Sequence, residues 1–352
     1  MAANQANPLL SVVVPAYNRA DDIATLLASL ESEFHRLEAI VVDDCSPDPT
    51  IYDGLKAHYP QVRFIRQDRN GGPAAARNRG AREARAELLF LVDSDTAIVP
   101  GTIDTILQLY RDHPEFVVCG GTSDRQPLND GLFPRYKALL EASWVADRAD
   151  RVTYIGHVGS RAFTIRRSTM LELGGFNENL PTADVEDYEF GYRLYQAHGP
   201  IPFYPRIAVR HRYDTLLNQA KLYFRRVIMW WDLRSMSPGA DDVGSTSHEA
   251  AIAVLSTLMT IAWLSAIFIP SVWLAAFGLT VAAMGFNHRF LRLCLGEYGL
   301  TFTAVALAMH TFLSWFICAG AAVAVLQSLM RRLRRLGRST PGGQCVEASD
   351  AV

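Results

Sequence analysis

Leu88-Leu-Phe-Leu-Val-Asp-Ser-Asp95 is the stretch that decides the fold class of this 352-residue chain. Its five consecutive apolar residues predict a β-strand buried on both faces, as in a parallel sheet. Two carboxylates, Asp93 and Asp95, follow at the carboxyl end of that strand. Because open α/β sheets bind their ligands at this end, the segment predicts both an α/β domain and the position of its site.

The residues on either side repeat an alternation of short apolar runs and helical patterns. We therefore expect a central, mostly parallel sheet with helices on both faces. The predicted strands are Leu9–Val14, Glu38–Val42, Val62–Arg66, Leu88–Val92 and Arg161–Ile165. The predicted helices are Asp21–Leu30, Ile51–His58, Pro73–Ala84, Phe133–Ala146 and Ser168–Leu173.

The last third of the chain has a different composition. No Lys, Arg, Asp or Glu occurs between Ala250 and Phe286, and none between Tyr298 and Met330. Each run exceeds the roughly 20 apolar residues that cross a bilayer as a helix. Since Pro270 divides the first run, we expect two or three transmembrane helices.

These composition changes predict four regions. The N-terminus lacks the cationic start and long apolar stretch of a signal peptide, so we expect the first region in the cytoplasm and a multi-pass protein of the inner membrane. Arginines before and after the last apolar run both favour the cytoplasmic side, which leaves the side of the C-terminus open. The regions are a cytoplasmic domain at 1–214, an amphipathic interfacial segment at 215–249, the transmembrane region at 250–330 and a basic, disordered tail at 331–352.

Several side chains at the predicted strand ends suit a nucleotide carrying phosphates. Asp93 and Asp95 can reach one hard divalent cation, Mg²⁺ or Mn²⁺, that bridges phosphates. Asp43 and Asp44 close another strand and can accept hydrogen bonds from a base or ribose. The glycine loop Asn70–Gly80 enters a helix and presents Arg77, a cation suited to a diphosphate. The formal net charge of −2 gives no indication of nucleic acid as a partner.

Glu186 and Asp187 begin a predicted helix downstream, in the segment VEDYEFGYRL (185–194). Acidic residues in a first turn stabilise a helix through its dipole, so capping alone would account for them. A carboxylate in this position can also act as the general base on an acceptor hydroxyl.

Six segments in this order resemble the inverting glycosyltransferases of family 2, which have the GT-A nucleotide-sugar fold. They are VVVPAYNR (12–19), VVDDCSPD (41–48), NGGPAAARNRG (70–80), LVDSDTAI (91–98), LGGFNENL (173–180) and VEDYEFGYRL (185–194). The resemblance covers about Leu9 to Arg226.

The resemblance implies a role for each matching residue. Asp43 and Asp44 would hold the nucleoside, Arg77 the nucleotide, and Asp93 and Asp95 the metal, with Asp187 as the catalytic base. We also expect His211 at the metal, and Glu186, Arg225 and Arg226 in the acceptor or diphosphate region. The remaining nucleotide-sugar contacts are expected from Pro15, Tyr17, Asn18, Asn70 and Ser94.

The resemblance implies transfer of one sugar from a nucleotide-diphosphate sugar. Since an enzyme kept at the bilayer would meet membrane-borne substrates, we expect a lipid or lipid-linked acceptor at the cytoplasmic face. The sequence has no Q-x-x-R-W motif, which is typical of processive synthases; the most similar segment is Arg225–Trp231. Three alternatives are a processive polysaccharide synthase, a nucleotidyltransferase and a non-catalytic nucleotide-sugar-binding scaffold. A scaffold would not need Asp187, and a nucleotidyltransferase would need a basic glycine loop after the first strand.

Overall fold

The apolar run Leu88–Val92 forms a strand with all five residues buried, as its composition predicts. The computed structural model describes residues 8–148, 151–156, 158–180, 185–236 and 244–338. Within these ranges the strands form a nine-stranded sheet. They are β1 (Leu10–Ala16), β2 (Leu37–Asp43), β3 (Arg63–Arg66), β4 (Leu88–Val92), β5 (Thr96–Ile98), β6 (Val118–Ser123), β7 (Thr153–Ile155), β8 (Ala162–Arg166) and β9 (Ile201–His211).

The sheet has the order β3-β2-β1-β4-β8-β6-β9-β5, and β7 pairs with β9. The first four strands in this order are parallel, as predicted for the first hundred residues. The other half is mixed: β8 is antiparallel to β4 and β6, β9 is antiparallel to β5 and β7, and β6 and β9 are parallel. The mostly parallel arrangement is therefore confined to the N-terminal strands, where helical crossovers connect neighbours.

Helices cover both faces of the sheet because successive strand residues point to opposite sides. Val12 and Val14 of β1 pack into one core cluster with α1, α2 and α4, whereas Val13 packs into a second cluster with α3, α6 and α7. The helices are α1 (Ala20–Ala28), α2 (Asp53–His58), α3 (Gly72–Glu83), α4 (Thr102–Asp112), α5 (Leu132–Val145), α6 (Arg167–Glu172), α7 (Glu186–His198), α8 (Leu216–Met236), α9 (Gly244–Ala266), α10 (Trp273–Phe286) and α11 (His288–Arg338).

A third apolar cluster joins the sheet domain to the C-terminal helices. Phe133, Tyr136 and Leu140 of α5 pack there with Phe302 and Leu313 of α11. Burying these rings removes large apolar areas from water, so the two parts of the chain are held by a core of their own.

Helix α11 is broken at Gly299, whose φ of 76° lies in the left-handed region that glycine adopts readily. The two segments fold back on each other, since the rings of Phe290 and His310 lie 5.8 Å apart, centroid to centroid. The helix continues to Arg338, so residues 331–338 are helical rather than the start of a disordered tail, as arginine and leucine are good helix formers. The remainder of the predicted tail, 339–352, and residues 237–243 of the interfacial segment lie outside the described ranges.

Two helical stretches, 248–266 and 288–331, are long and apolar enough to cross a membrane, and 22% of each most apolar window is buried. The stretch after Pro270, up to Phe286, is shorter. Large apolar side chains at the turn between α9 and α10 are widely exposed, with Phe268 at 84% and Ile267 at 70%. A core helix of a soluble protein would bury such residues.

Candidate active site

The predicted metal residues lie where β4 and β9 end and β5 begins. β5 pairs with β9 so that Thr96 lies opposite His211. This register places His211 Nε2 at 3.2 Å from Asp95 Oδ1, and the Arg212 amide donates to the Asp95 carbonyl at 2.8 Å. Asp95 and His211 were both predicted at the metal from the sequence, and the fold brings these two side chains, 116 positions apart in the chain, into contact.

Asp95 is held in its ionised form despite partial burial. Desolvation disfavours its charge, but the hydrogen bond and charge of His211 outweigh it, with help from Arg161 and Arg19, and lower the pKa of Asp95. Asp93 and Asp95 keep 25% and 26% of their side-chain surface exposed, so both can reach a ligand in the cleft.

Arg77 lies in the buried wall of the cleft and bridges two acidic residues. Its Nη2 donates to Asp93 Oδ1 at 2.6 Å and its Nη1 to Glu186 Oε1 at 3.0 Å, while the side chain is 3% exposed. Burial disfavours its charge, but the two carboxylates overcompensate and raise the pKa of Arg77. The terminal nitrogens thus bind protein carboxylates, which makes Arg77 a link between two site segments.

Glu186 and Asp187 have different environments although they are neighbours at the start of α7. Glu186 is buried, and desolvation, reinforced by the charge of Asp187 and opposed by Arg77, raises the pKa of Glu186 to about 7. Asp187 is half-buried and accepts hydrogen bonds from the amides of Ser160, at 3.2 Å, and Tyr188, at 2.9 Å. Of the two carboxylates, Asp187 is the more exposed one.

The carboxylates of Asp43 and Asp44 organise the loops of the first strands. Asp43 accepts from the amide and hydroxyl of Ser46 and from Arg66. Asp44 accepts from the amides of Gly71 and Gly72, at 2.8 and 2.7 Å, at the N-terminus of α3. Both side chains are buried, so they shape the predicted nucleoside pocket through these loops.

The other predicted donor contacts surround the same strand ends. Tyr17 and Asn18 are exposed directly after β1, and the Asn18 amide donates to Ser46 Oγ at 2.9 Å. Asn70 is exposed in the loop before α3, and Ser94 is half-buried between the two metal-motif carboxylates. Pro15 is buried within β1, opposite Val42 of β2, and contributes backbone shape there.

Asn78 connects two of the sequence motifs. Its side chain donates to the Phe176 carbonyl at 2.8 Å and accepts from the Phe176 amide at 2.8 Å. Gly175 has φ of +70°, and a Cβ there would lie 2.3 Å from Asn78 Oδ1. The Gly174-Gly175-Phe176 turn is thereby fixed against α3, close to the segment that leads to Asp187.

The predicted acceptor arginines lie on α8. Arg225 is exposed and Arg226 is half-buried. Burial raises the pKa of the Tyr188 hydroxyl to about 12, with Asp187 adding to this effect and Arg226 opposing it. Arg226 therefore acts electrostatically on the residue next to Asp187.

Four functional-site neighbours were not predicted from the sequence: Lys137, Glu141, Arg161 and Tyr213. Glu141 accepts from Tyr213 Oη at 2.8 Å and pairs with Lys137 at 3.1 Å and with Arg161. The available signal was Lys137 and Glu141 at i,i+4 within an otherwise apolar helical pattern. Arg161, directly before β8, has no spacing relationship to that helix.

Metal ligands from the protein are few in this cleft. Across the described ranges, no group of three or more His, Cys, Asp and Glu side chains is arranged to hold a metal ion by itself. The Asp95–His211 pair supplies one carboxylate and one imidazole, and the buried His211 Nδ1 has no hydrogen-bond partner. Such a donor set fits a divalent cation that also binds substrate phosphates.

Comparison with known proteins relates this site to a family. Residues 11–174 match the family model described as Glycosyl transferase family 2. An uncharacterized glycosyltransferase of Haemophilus influenzae is 27% identical over 197 residues, which cover 55% of this chain and 65% of that protein. The pre-mycofactocin glycosyltransferase of Mycobacterium tuberculosis is 28% identical over 214 residues, covering 59% of this chain and 44% of that protein. The chain thus spans about half to two thirds of the length of these relatives.

Among solved structures, the mannosyltransferase PcManGT of Pyrobaculum calidifontis, in complex with GDP-Man and Mn²⁺, is similar in fold. Its TM-score is 0.53 at 16% sequence identity, and the match covers 91% of this chain and 88% of that one. The mixed sheet with its covering helices is accordingly of the GT-A type.

Proposed function

We propose that the protein transfers a single sugar from a nucleotide-diphosphate sugar to a lipid or lipid-linked acceptor, with inversion, because residues 11–174 match the Glycosyl transferase family 2 model. The observation that carries this proposal is the convergence of Asp95 and His211 with Asp187 at one end of the sheet. Ser160 connects the two regions. It lies just before β8, which pairs with β4, and its backbone amide donates a hydrogen bond to Asp187.

The reaction is a single displacement. The acceptor oxygen attacks the anomeric carbon and its proton passes to a carboxylate oxygen of Asp187, while the bond from that carbon to the diphosphate oxygen breaks. The Ser160 amide orients Asp187. The exposed part of the Asp187 side chain leaves room for the acceptor hydroxyl. Buried Glu186, paired with Arg77, is the positioning partner and not the base.

Asp95 and His211 are the proposed ligands of Mg²⁺ or Mn²⁺, with Asp93 adjacent and oriented by Arg77. The bound ion would stabilise the charge on the departing diphosphate. The surrounding residues keep Asp95 ionised, and β9 fixes His211 at its last position, so both side chains are in place for the ion.

The nucleoside would lie over the loops that Asp43 and Asp44 organise, against Tyr17, Asn18 and Asn70. These three side chains are exposed and therefore available to a ligand. Ring stacking on Tyr17 and hydrogen bonds to the two asparagines would suit a base and ribose.

The lipid acceptor is inferred from the C-terminal helices. Helices α9 and α10 form a hairpin, because Trp263 Nε1 donates to Thr280 Oγ1 at 2.9 Å. The first turns of α9 and of α11, on either side of this hairpin, contact α5 or the turn after it. Glu249 accepts from Trp144 at 2.8 Å, and Arg289 pairs with Asp147. The exposed apolar turn therefore points away from two ends that lie on the catalytic side.

We accordingly propose that α9 and α10 enter the bilayer from the cytoplasmic face and return to it. The 14 residues of α10 extend about 21 Å, which is shorter than a hydrocarbon core of about 30 Å. Helix α8, with Arg225, Arg226, Trp230 and Trp231, would lie at the headgroups. This arrangement would keep the cleft close to membrane-borne acceptors.

The test is a transfer assay with membranes containing the protein, a panel of UDP, GDP and dTDP sugars, and extracted lipids as acceptors. Transfer of one sugar from one donor, supported by Mn²⁺ or Mg²⁺ and abolished by EDTA, is expected. Formation of long polymers would instead support a processive synthase. Nucleotide binding without turnover for every donor and acceptor would support a scaffold.

A further inference from the structure

The first residue before β8 occupies a central position in the cleft. In the antiparallel pairing of β4 and β8, Val92 lies opposite Ala162, so the next residues, Asp93 and Arg161, face each other at the strand ends. The preceding residue, Ser160, donates its amide hydrogen to Asp187. Arg161 therefore lies between the metal motif and the proposed base.

The guanidinium of Arg161 is held by a built set of partners. Its Nη1 donates to Ser123 Oγ at 2.9 Å and to Glu141 Oε2. Its Cζ lies 6.0 Å from the centre of the Tyr213 ring. Tyr213 in turn donates to the same Glu141 oxygen at 2.8 Å. These contacts restrict the side chain to one orientation.

Two cations share one buried carboxylate beside the cleft. Lys137 and Arg161 both pair with Glu141. Lys137 is 6% exposed and donates to Tyr223, whereas Arg161 keeps 31% of its side chain exposed. Of the two cations, Arg161 is therefore the accessible one, on the side of the cleft that carries Asp93 and Asp95.

We propose that Arg161 binds the diphosphate of the nucleotide-sugar donor and stabilises it as the leaving group, while Glu141, Ser123 and Tyr213 position the guanidinium. This inference rests on the proposed sugar transfer. As the bond to the anomeric carbon breaks, its electron pair remains on the diphosphate oxygen, where negative charge increases. Arg161 donates hydrogen bonds to that charge and transfers no proton.

Electrostatics agree with this placement. Burial disfavours the charged form of Arg161, but Glu141, Tyr213, Asp93 and Asp95 favour it and raise its pKa, so the cation persists at every working pH. Glu141 is likewise kept ionised: burial opposes its charge, but Arg161 and Lys137 more than compensate and lower its pKa.

The experiment compares Arg161→Gln with Arg166→Gln, a matched control at the other end of the same strand. Arg166 donates to the carbonyls of Phe116 and Pro114, away from the cleft. Calorimetric titration in Mn²⁺ would measure the affinity of each full-length variant for UDP, GDP and dTDP and for the corresponding nucleosides.

Arg161→Gln should weaken binding of the preferred nucleoside diphosphate by about 10- to 100-fold, because a charge-assisted contact is lost. Its nucleoside affinity should not change, Arg161→Lys should recover part of the loss, and Arg166→Gln should resemble the wild type. In the transfer assay, Arg161→Gln should lower kcat more than it raises KM.

The proposal would be overturned if Arg161→Gln lost equal affinity for the nucleoside and for the nucleoside diphosphate. It would also be overturned if Arg161→Gln failed to fold and Arg161→Lys restored folding with wild-type diphosphate affinity. Either result would leave Arg161 as a structural ion pair. A wild type that binds none of the three diphosphates would refute the donor assignment, and with it this role. A wild type that binds one of them without transferring sugar would refute the proposed function and the leaving-group role, while the affinity comparison would still decide whether Arg161 binds the diphosphate.

Discussion

Arg77 Nη1 lies 3.0 Å from Glu186 Oε1, joining residues 109 positions apart into a buried ion pair. The same guanidinium holds Asp93. Arg77 thus connects the strand end that carries the metal motif to the helix that carries Asp187. One cation therefore positions the proposed donor side and the proposed acceptor side of the cleft.

Replacing Arg77 should cost more than the loss of a surface ion pair. Arg77→Met leaves Glu186 and Asp93 without their shared partner, and breaking a buried pair in this way destabilises proteins by about 3–5 kcal/mol. Urea denaturation of the variant in detergent would measure the change. A loss below about 1 kcal/mol would contradict the linking role, and Arg79→Met, at an exposed pair with Glu83, is the control.

Glu186 should make stability depend on pH. Its pKa in the folded protein is about 7, above the ordinary value of 4.5, so the folded state binds the proton more tightly than the unfolded state. The contribution is fully present below about pH 4.5 and is lost as pH rises through 7, an effect of about 1–3 kcal/mol.

Glu186→Gln should remove this dependence, which is measured as the difference in unfolding free energy between pH 4.5 and pH 7.5. Glu189→Gln, one turn away and paired with Arg193, should keep the wild-type slope. The same slope in Glu186→Gln as in the wild type would rule out Glu186 as the titrating group.

His211→Ala should weaken the response to Mn²⁺. Loss of one of two protein ligands should raise the Mn²⁺ concentration for half-maximal transfer by about 10-fold or more, since even indirect partners of a metal ligand matter by 10–100-fold. A titration of activity against Mn²⁺ gives this value. His113→Ala, an exposed histidine also paired with an acid, is the control, and an unchanged midpoint in His211→Ala would exclude it as a ligand.

The hairpin of α9 and α10 predicts a specific labelling pattern. Ser271→Cys, introduced after the five native cysteines are replaced, should resist a membrane-impermeant maleimide in both inverted and right-side-out vesicles until detergent is added. Glu172→Cys, exposed on the catalytic domain, should react in inverted vesicles only. Labelling of Ser271→Cys in right-side-out vesicles would indicate full crossings instead.

The parallel strands were predictable because the apolar residues that define each of them are consecutive in the sequence. Leu88–Val92 is a continuous apolar run, and its observed bounds agree with the predicted ones. In the other half the strand Arg161–Ile165 was predicted but its antiparallel pairing was not, since the pairing of β8 with β4 joins segments about 70 residues apart and depends on tertiary packing.

The candidate site was predicted to a similar extent. Asp93, Asp95 and Asp187 stand in sequence motifs, whereas the roles of Arg77 and Arg161 depend on partners supplied by distant elements. Gly299 was not predicted as a break, because the apolar run continues past it. The roles of the motif residues in donor and acceptor binding stay predictions.

In the proposed mechanism, Asp187 removes the acceptor proton in a transfer that the metal-binding side of the cleft supports. The most direct measurement is kcat for sugar transfer by Asp187→Asn, beside the affinity of the same variant for the nucleoside diphosphate, with Glu189→Gln as the control on the same helix. We expect kcat to fall by about 10²–10⁴-fold while nucleotide affinity and the control remain unchanged. Transfer at the wild-type rate by Asp187→Asn would contradict the account.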